Sequence, residues 1–234
     1  GEGEWGGRCM LTQQPMAVLK KHQINADVLP IDMLASGQLE NGELRIGRGR
    51  YRALVVPYME AAPEVLLKQI KRLCDKGFPV VFVDAFPERK SQGGAFSASE
   101  LDGAQIVPLS KLATHLDELR TIRCCGEEPY LRTYWYHKGD ADIWMLFNEH
   151  PTHSIKTRIE TPLCRPTLRY DAMEDMWYHS DMGNGNAALE LAPQEAQVFV
   201  FFEDREKMPL ASLPDMSECG SCLELTDWEI SYQW

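Results

Sequence analysis

Hydrophobic residues in the first half of the chain form short continuous runs, separated by stretches with helical periodicity. Residues 53–56 make one apolar run and Val80–Val83 makes a second. Between them, Pro63 precedes apolar residues at helical spacing, and Gly77 follows as a glycine that ends a helix. This order of strand, helix and strand is typical of a right-handed crossover in a parallel sheet.

Further elements are predicted on both sides of this unit. In chain order they are a helix over 13–22, a strand over 26–29, a helical turn over 31–34, a strand over 43–46, a strand over 105–108 and a helix over 109–119. Residues 2–7 are glycine-rich, like a loop that follows a strand. The sequence therefore predicts that the first strand of the parallel sheet is missing or is supplied out of order.

After Gly126 the pattern changes to short strands with alternating polarity. They are predicted over 131–137, 142–147, 155–160, 168–171, 176–178, 189–191 and 197–202. Six or seven short strands without a helix indicate an antiparallel β-sandwich. The predicted domains are an α/β domain over 1–125, the sandwich over 126–204, and a linker with a terminal strand over 205–234. That last segment either joins the existing sheet or begins a further domain.

Charge and cysteine content narrow the function classes. With 24 Lys and Arg against 35 Asp and Glu, the net charge is −11, which disfavours nucleic acid as a partner. No apolar run is long enough to cross a bilayer, so no membrane partner is expected. Seven cysteines cannot all pair within one chain, and Cys74 and Cys164 lie in apolar surroundings. A mostly reduced, cytoplasmic protein is favoured, with a periplasmic or secreted location left open.

Motifs that carry chemistry are incomplete. Asn148-Glu149 follows a strand, as an acid/base pair does in one clan of glycosidases, but a strand-end turn is the preferred interpretation because no (β/α)8 barrel fits in this chain. Cys219 and Cys222 have redox or metal-pair spacing, yet no second pair accompanies them; a local disulfide is an alternative to two free thiols. His150 and His153 favour a turn over a metal site. No metal site and no cofactor is predicted.

A hydrolase of the amidotransferase type requires a nucleophile on a sharp turn after a strand. The corresponding segment after Val56 is Pro57-Tyr58-Met59-Glu60, which contains no such nucleophile. No catalytic residue is therefore predicted.

The carboxyl edge of the parallel sheet is the predicted ligand edge, since open α/β sheets bind ligands there. The segment 86–103 forms a long loop at that edge; a surface excursion without a ligand is the preferred interpretation, and a ligand-binding loop is the alternative. Glu4 and Trp5 are predicted at the same edge, where an aromatic face stacks on a sugar and a carboxylate accepts hydroxyl hydrogen bonds. For Trp5, core packing or a subunit contact is equally compatible with the sequence. The candidate ligand-binding residues are Glu4, Trp5, Tyr58, Asp84 and Arg89.

Several segments resemble accessory regions of large bacterial glycoside hydrolases. Residues 50–57, 63–66 and 77–81, with 43–46 upstream, resemble the flavodoxin/class I amidotransferase-like domain of family 2-like enzymes, of α-L-rhamnosidases and of the trimerisation region of some β-galactosidases. Residues 143–149 and 189–196 resemble strands of the β-sandwich that follows, and 228–230 the first strand of a galactose-binding-like domain. The resemblance implies an open parallel sheet followed by a small antiparallel sandwich, and a catalytic barrel on the amino-terminal side.

The main functional hypothesis is a non-catalytic accessory module of a glycosidase that braces the barrel or a subunit interface. The implied partners are the catalytic barrel of the parent chain, an oligosaccharide and another copy of the chain. A stand-alone carbohydrate-binding protein is the alternative, and a small amidotransferase-type hydrolase is a third hypothesis, disfavoured by the missing nucleophile.

Overall fold

A computed structural model describes residues 8–120, 122–161 and 163–211. The first part of the described chain combines short helices with strands. The α-helices are α1 (Gln13–Lys21), α2 (Ile31–Ala35), α3 (Glu64–Cys74) and α4 (Leu112–His115). The strands are β1 (Gln38–Glu40), β2 (Glu43–Ile46), β3 (Gly49–Tyr51), β4 (Leu54–Val56), β5 (Ala61–Ala62), β6 (Val80–Val83), β7 (Arg89–Lys90) and β8 (Gln105–Val107).

The predicted parallel sheet is present, in the order β4-β6-β8. All four residues of β6 are buried because helices pack on both faces of the sheet. Val80 and Phe82 pack with the apolar residues of α3, while Val81 and Val83 pack with residues of α1 and α4. The alternation of β6 between two cores is the reason that its sequence is apolar throughout.

Two elements differ from the sequence prediction. Residues 26–29 do not form a strand, because no described strand lies beside them to share backbone hydrogen bonds. The predicted helix over 109–119 is interrupted: 3-10 turns at Leu109–Lys111 and Asp117–Leu119 flank the short α4. Leu116, between α4 and the last turn, has φ −99° and ψ 18°, outside the helical range, and ends the α-helix there.

The segment between β6 and β8 is more ordered than a simple loop. β7 pairs in parallel with β5, which follows β4. A 3-10 turn at Ala98–Leu101 is closed by a capping box between Ser97 and Glu100. Upstream, β1, β2 and β3 form an antiparallel sheet whose middle strand buries Leu44 and Ile46 in the α3 core.

The second part of the described chain consists of antiparallel strands and short 3-10 turns. Its strands are β9 (Arg123–Cys124), β10 (Leu131–Lys138), β11 (Ala141–Asn148), β12 (Ile155–Glu160), β13 (Thr167–Asp171), β14 (Met176–His179), β15 (Asn186–Leu191) and β16 (Ala196–Phe202). They form a five-stranded sheet, β10-β11-β16-β13-β14, and a three-stranded sheet, β15-β12-β9. Buried residues of both sheets, among them Trp144, Phe201, Ile159 and Leu189, belong to one hydrophobic cluster. The predicted antiparallel pairings β10–β11 and β13–β14 are confirmed.

Polar contacts join the two parts. The Gln23 side chain is 4% exposed, and its Nε2 donates to the carbonyl oxygens of Glu128 at 2.8 Å and Leu131 at 3.5 Å. Thr133 Oγ1 donates to Asn25 Oδ1 at 3.2 Å. The segment that follows α1 therefore anchors the start of β10.

The described cysteines, Cys9, Cys74, Cys124, Cys125 and Cys164, are free thiols. Cys219, Cys222 and the predicted terminal strand over 228–234 lie outside the described residues. No described helix is long and apolar enough to cross a membrane.

Candidate functional site

Side chains from two strand ends and from the chain before α1 meet at the carboxyl edge of the parallel sheet. Tyr58 and Glu60 follow β4, and Arg89 begins β7 after β6. Cys9 and Met59 form an antiparallel bridge, in which Met10 N donates to Tyr58 O and Glu60 N donates to Arg8 O, each at 2.8 Å. The backbone thus holds these side chains at one edge.

Glu60 is the charged centre of this edge. Its Oε2 accepts the backbone N–H of Arg8 at 3.0 Å, and its Oε1 lies 3.5 Å from Arg89 Nη2. The backbone N–H of Arg8, together with the positive charges of Arg89 and Arg8, outweighs desolvation and lowers the pKa of Glu60. The carboxylate is therefore ionised at neutral pH.

Tyr58 supplies a half-buried aromatic ring beside this carboxylate. Its hydroxyl donates to Glu88 Oε1 at 3.4 Å. Desolvation, and then the negative charge of Glu88, raises the pKa of Tyr58, so the hydroxyl remains a hydrogen-bond donor. We call the group of Arg8, Tyr58, Glu60, Glu88 and Arg89 the edge cluster. An aromatic ring beside carboxylates and guanidinium groups has the chemistry to bind a polyhydroxylated ligand.

Asp84 serves a different purpose from the edge cluster. It lies directly after β6 with φ 66°, in the left-handed region that is uncommon for non-glycine residues. Its Oδ1 accepts the backbone N–H of Leu109 at 2.8 Å, which begins the 3-10 turn after β8. The turn at Asp84 has the positive φ found at nucleophile elbows, but a loop and not a helix follows it.

The structure brings together two of the five predicted ligand-binding residues, Tyr58 and Arg89. Asp84 is engaged with the backbone of Leu109. Glu4 and Trp5 lie outside the described residues. Arg8, Glu60 and Glu88 are not among the residues predicted from the sequence, although each is close in sequence to a predicted residue. A role in ligand binding remains a prediction for all of these positions.

The Asn148-Glu149 pair is occupied by contacts within its turn. Asn148 is fully buried, and its Nδ2 donates to the carbonyl oxygens of His153 at 2.8 Å and Ala192 at 2.9 Å. Glu149 forms an ion pair with Arg132. These contacts support the turn interpretation and show how Asn148 ties the end of β11 to the end of β15.

The two histidines in this turn also contact each other. The ring centroids of His150 and His153 are 4.3 Å apart. Within the described ranges, no group of three or more His, Cys, Asp or Glu side chains has an arrangement that could hold a metal ion.

Comparison with known proteins finds no matching family model and no matching curated protein. Solved structures do match in fold. A rhamnosidase from Novosphingobium sp. PP1Y aligns with 80% of this chain at 15% identity and a TM-score of 0.56. The exo-carrageenase GH42 from Bacteroides ovatus aligns with 82% at 9% identity and a TM-score of 0.54. A β-galactosidase from Bacillus circulans sp. alkalophilus aligns with 80% at 8% identity and a TM-score of 0.51.

At these identities the likeness concerns the fold. The chain spans 21%, 26% and 36% of those three solved chains, respectively. Its structural neighbours are thus glycoside hydrolases, of which this fold makes up about a fifth to a third.

Proposed function

We propose that this chain is a non-catalytic accessory module of a larger glycoside hydrolase, which braces the catalytic domain or a subunit interface. The observation that supports it most is the partial coverage: about four fifths of the chain aligns with a minor fraction of each glycosidase. Both the α/β part and the antiparallel part are included in an alignment of this length. Their occurrence together is expected of a module that folds as one unit. The contacts of Gln23 and Asn25 across the junction support the same interpretation.

The finer architecture belongs to this proposal. We assign β4, β6 and β8 to the third, fourth and fifth strands of a flavodoxin-like sheet, in which the order is 2-1-3-4-5. We assign the two antiparallel sheets to a small β-sandwich, because their buried residues share one cluster. Ile122 belongs to that cluster and β9 pairs with β12, which favours a domain boundary just before residue 122 over one at 125.

The test compares the longest natural polypeptide that contains this chain with the same polypeptide carrying Gln23→Ala. A bracing module predicts that the polypeptide hydrolyses aryl glycosides and that the substitution lowers its thermal midpoint while KM stays unchanged. Gln13→Ala, on the first turn of α1, is the matched control and should change neither value. A natural polypeptide that has no glycosidase activity would contradict the proposal.

Carbohydrate binding by the edge cluster is the second candidate. It is favoured by the position of Tyr58 beside ionised Glu60 at the sheet edge where α/β folds bind ligands. Calorimetric titration with rhamnose- and galactose-containing oligosaccharides tests it. Binding that is lost with Tyr58→Ala and kept with Tyr130→Ala, a substitution of an exposed tyrosine just before β10, would support this candidate. The absence of binding across the panel would overturn it.

A further inference from the structure

The parallel sheet has one edge whose sequence is that of a central strand. β4 has β6 on one side, and within the described residues no strand pairs with its other side. Strands at the edge of a sheet usually carry charges or prolines that block further pairing. β4 is Leu54-Val55-Val56, as apolar as the buried central strand β6. Leu54 and Val55 are nonetheless only half-buried.

The register identifies the backbone groups at this edge. Leu54 N donates to Pro79 O at 2.9 Å, so the backbone of Leu54 faces β6. Alternate residues of a strand point their backbone groups to opposite sides, so the N–H and C=O of Val55 face away from β6. No described backbone group accepts the Val55 N–H.

The segment 25–29 has the position of a sheet strand without the hydrogen bonds of one. Ala26 packs against the core that contains α1 and α4, and Leu29 packs against the core on the α3 side. Val55 packs against the first of these cores and Leu54 against the second, as do Ala26 and Leu29, so the segment 25–29 lies at the level of the sheet. It makes no described backbone–backbone hydrogen bond, and Val28 is 59% exposed. Tyr51 Oη, just before β4, donates to Asp27 Oδ2 at 3.0 Å and ties the segment to this side of the sheet.

We infer that a further parallel strand pairs with both β4 and residues 25–29, and that it is supplied by polypeptide on the amino-terminal side of Gly1. The path of the chain supports this occupant. Arg8 to Met10 cross the carboxyl end of β4, where a strand parallel to β4 would also end before the chain enters α1. Four of the first seven residues of the sequence are glycine, a residue type that weakens the interior of a strand.

In the order 2-1-3-4-5 this would be strand 1, which lies between strand 2, here the segment 25–29, and strand 3, here β4. Such a position is covered by helices on both faces, so the occupant is expected to be four to six residues long, as strands commonly are, and rich in Val and Ile. The inference depends on the β4 edge, the segment 25–29 and the path of the chain before α1, and not on the glycosidase proposal, so each can fail without the other.

The experiment adds a strand and measures amide exchange by NMR. The probe is Lys-Val-Val-Val-Ile-Val placed directly before Gly1 of the 234-residue chain. Exchange of the Val55 amide should be fast in the unextended chain and about tenfold slower, or more, in the extended chain. The Ile106 amide is the control, because it faces away from β6 on β8 at the opposite edge and should be unaffected. An extension of Ser and Gly of equal length should have no effect on either amide.

Two further measurements keep the inference testable if the extended chain folds poorly. The same peptide, with a lysine added at its carboxyl end, is titrated into the unextended chain and should protect Val55 in a saturable manner. Val55→Pro, which removes the N–H that would pair with the peptide, should abolish the saturable chemical-shift changes that the peptide causes in the neighbouring Leu54 and Val56 amides, while the chain stays folded. The inference is overturned if Val55 exchanges as slowly as Val81 in the unextended chain, or if neither probe protects it. It is also overturned if the unextended chain sediments as a dimer and its Val55 amide becomes protected as the protein concentration rises.

Discussion

The parallel and antiparallel sheets of this protein obtain their strand partners in different ways. In the antiparallel part, β10 pairs with β11 and β13 with β14 across short turns, so each of these hairpins carries its own partner and distant strands such as β16 only join the hairpins together. In the parallel part, β4, β6 and β8 are separated by a helix or a long segment, and every partner comes from a distant part of the chain. When one strand of a parallel sheet is supplied by a separate part of the polypeptide, its neighbouring strand has no partner until that part is present. The sheet then has an exposed apolar edge, such as β4.

The largest expected effect concerns the hydrophobic core between the two antiparallel sheets. Trp144 is 2% exposed and packs on Phe201 with ring centroids 4.9 Å apart. Trp144→Ala should lower the free energy of unfolding by about 3–5 kcal/mol, because it leaves a large cavity between the sheets. Urea denaturation followed by circular dichroism measures it. Trp135→Ala, at a position that is 49% exposed, should cost about 1.5 kcal/mol, the lower end for a hydrogen bond to a charged group such as the Asp142 carboxylate. Equal costs would contradict the assignment of the core.

The second prediction compares a central and an edge strand. Val81→Pro should cost about 3 kcal/mol or more, since β6 has neighbours on both sides and proline removes a ladder hydrogen bond. Val55→Pro should cost about 1 kcal/mol, because edge strands tolerate proline where the N–H is unpaired. Thermal unfolding of both variants checks the difference. If Val55→Pro is as damaging as Val81→Pro, the β4 edge is already paired.

The third prediction concerns the junction between the two parts. Gln23→Ala removes the donor to Glu128 and Leu131 and should cost about 1–3 kcal/mol. Gln23 has φ 53°, and this strains Gln and Ala alike, so backbone strain adds nothing to the cost of the Ala variant. Gln23→Gly relieves that strain, so the difference between the Gly and Ala variants isolates it. Calorimetry should show one unfolding transition in the original chain and a broader or divided one in both variants. An unchanged transition would mean that the two parts are coupled by other contacts.

The smallest effect concerns adjacent thiols at the margin of the antiparallel part. Burial, and then the charge of Glu128, raises the pKa of Cys124 to about 12, so its thiol stays protonated at pH 8. Cys125 is exposed. Iodoacetamide at pH 8 should alkylate Cys125 well before Cys124, as read by fragmentation mass spectrometry. Similar rates would show that β9 opens readily. Above pH 12 the Cys124 thiolate would form and the difference would disappear.

The elements that could be predicted from the sequence are those whose formation depends mainly on residues close together in the chain. Helix α3, strand β6 and the β10–β11 hairpin have clear periodicity and turn signals, and all three are present. The strand predicted over 26–29 is absent because strand formation requires a neighbour that sequence periodicity does not supply. The helix predicted over 109–119 is interrupted around Leu116, although its apolar spacing is helical.

The candidate site was only partly accessible to sequence reasoning. Tyr58 and Arg89 were selected because they follow predicted strands, and the structure places them in one cluster. Arg8, Glu60 and Glu88 could not be predicted, since their importance comes from contacts that form only where separate segments meet at the sheet edge. The capping contact of Asp84 with Leu109 depends on a backbone twist that the sequence does not reveal.

Glycoside turnover by the purified 234-residue chain distinguishes an accessory module from an enzyme. The substrates are aryl α-L-rhamnosides and aryl β-D-galactosides, and the variants are Glu60→Gln and Glu88→Gln. A non-catalytic module predicts no hydrolysis above the buffer rate for any of the three proteins. Hydrolysis by the original chain that falls by about 100-fold or more in either variant, with unchanged circular dichroism, would contradict it and make the edge cluster an active site.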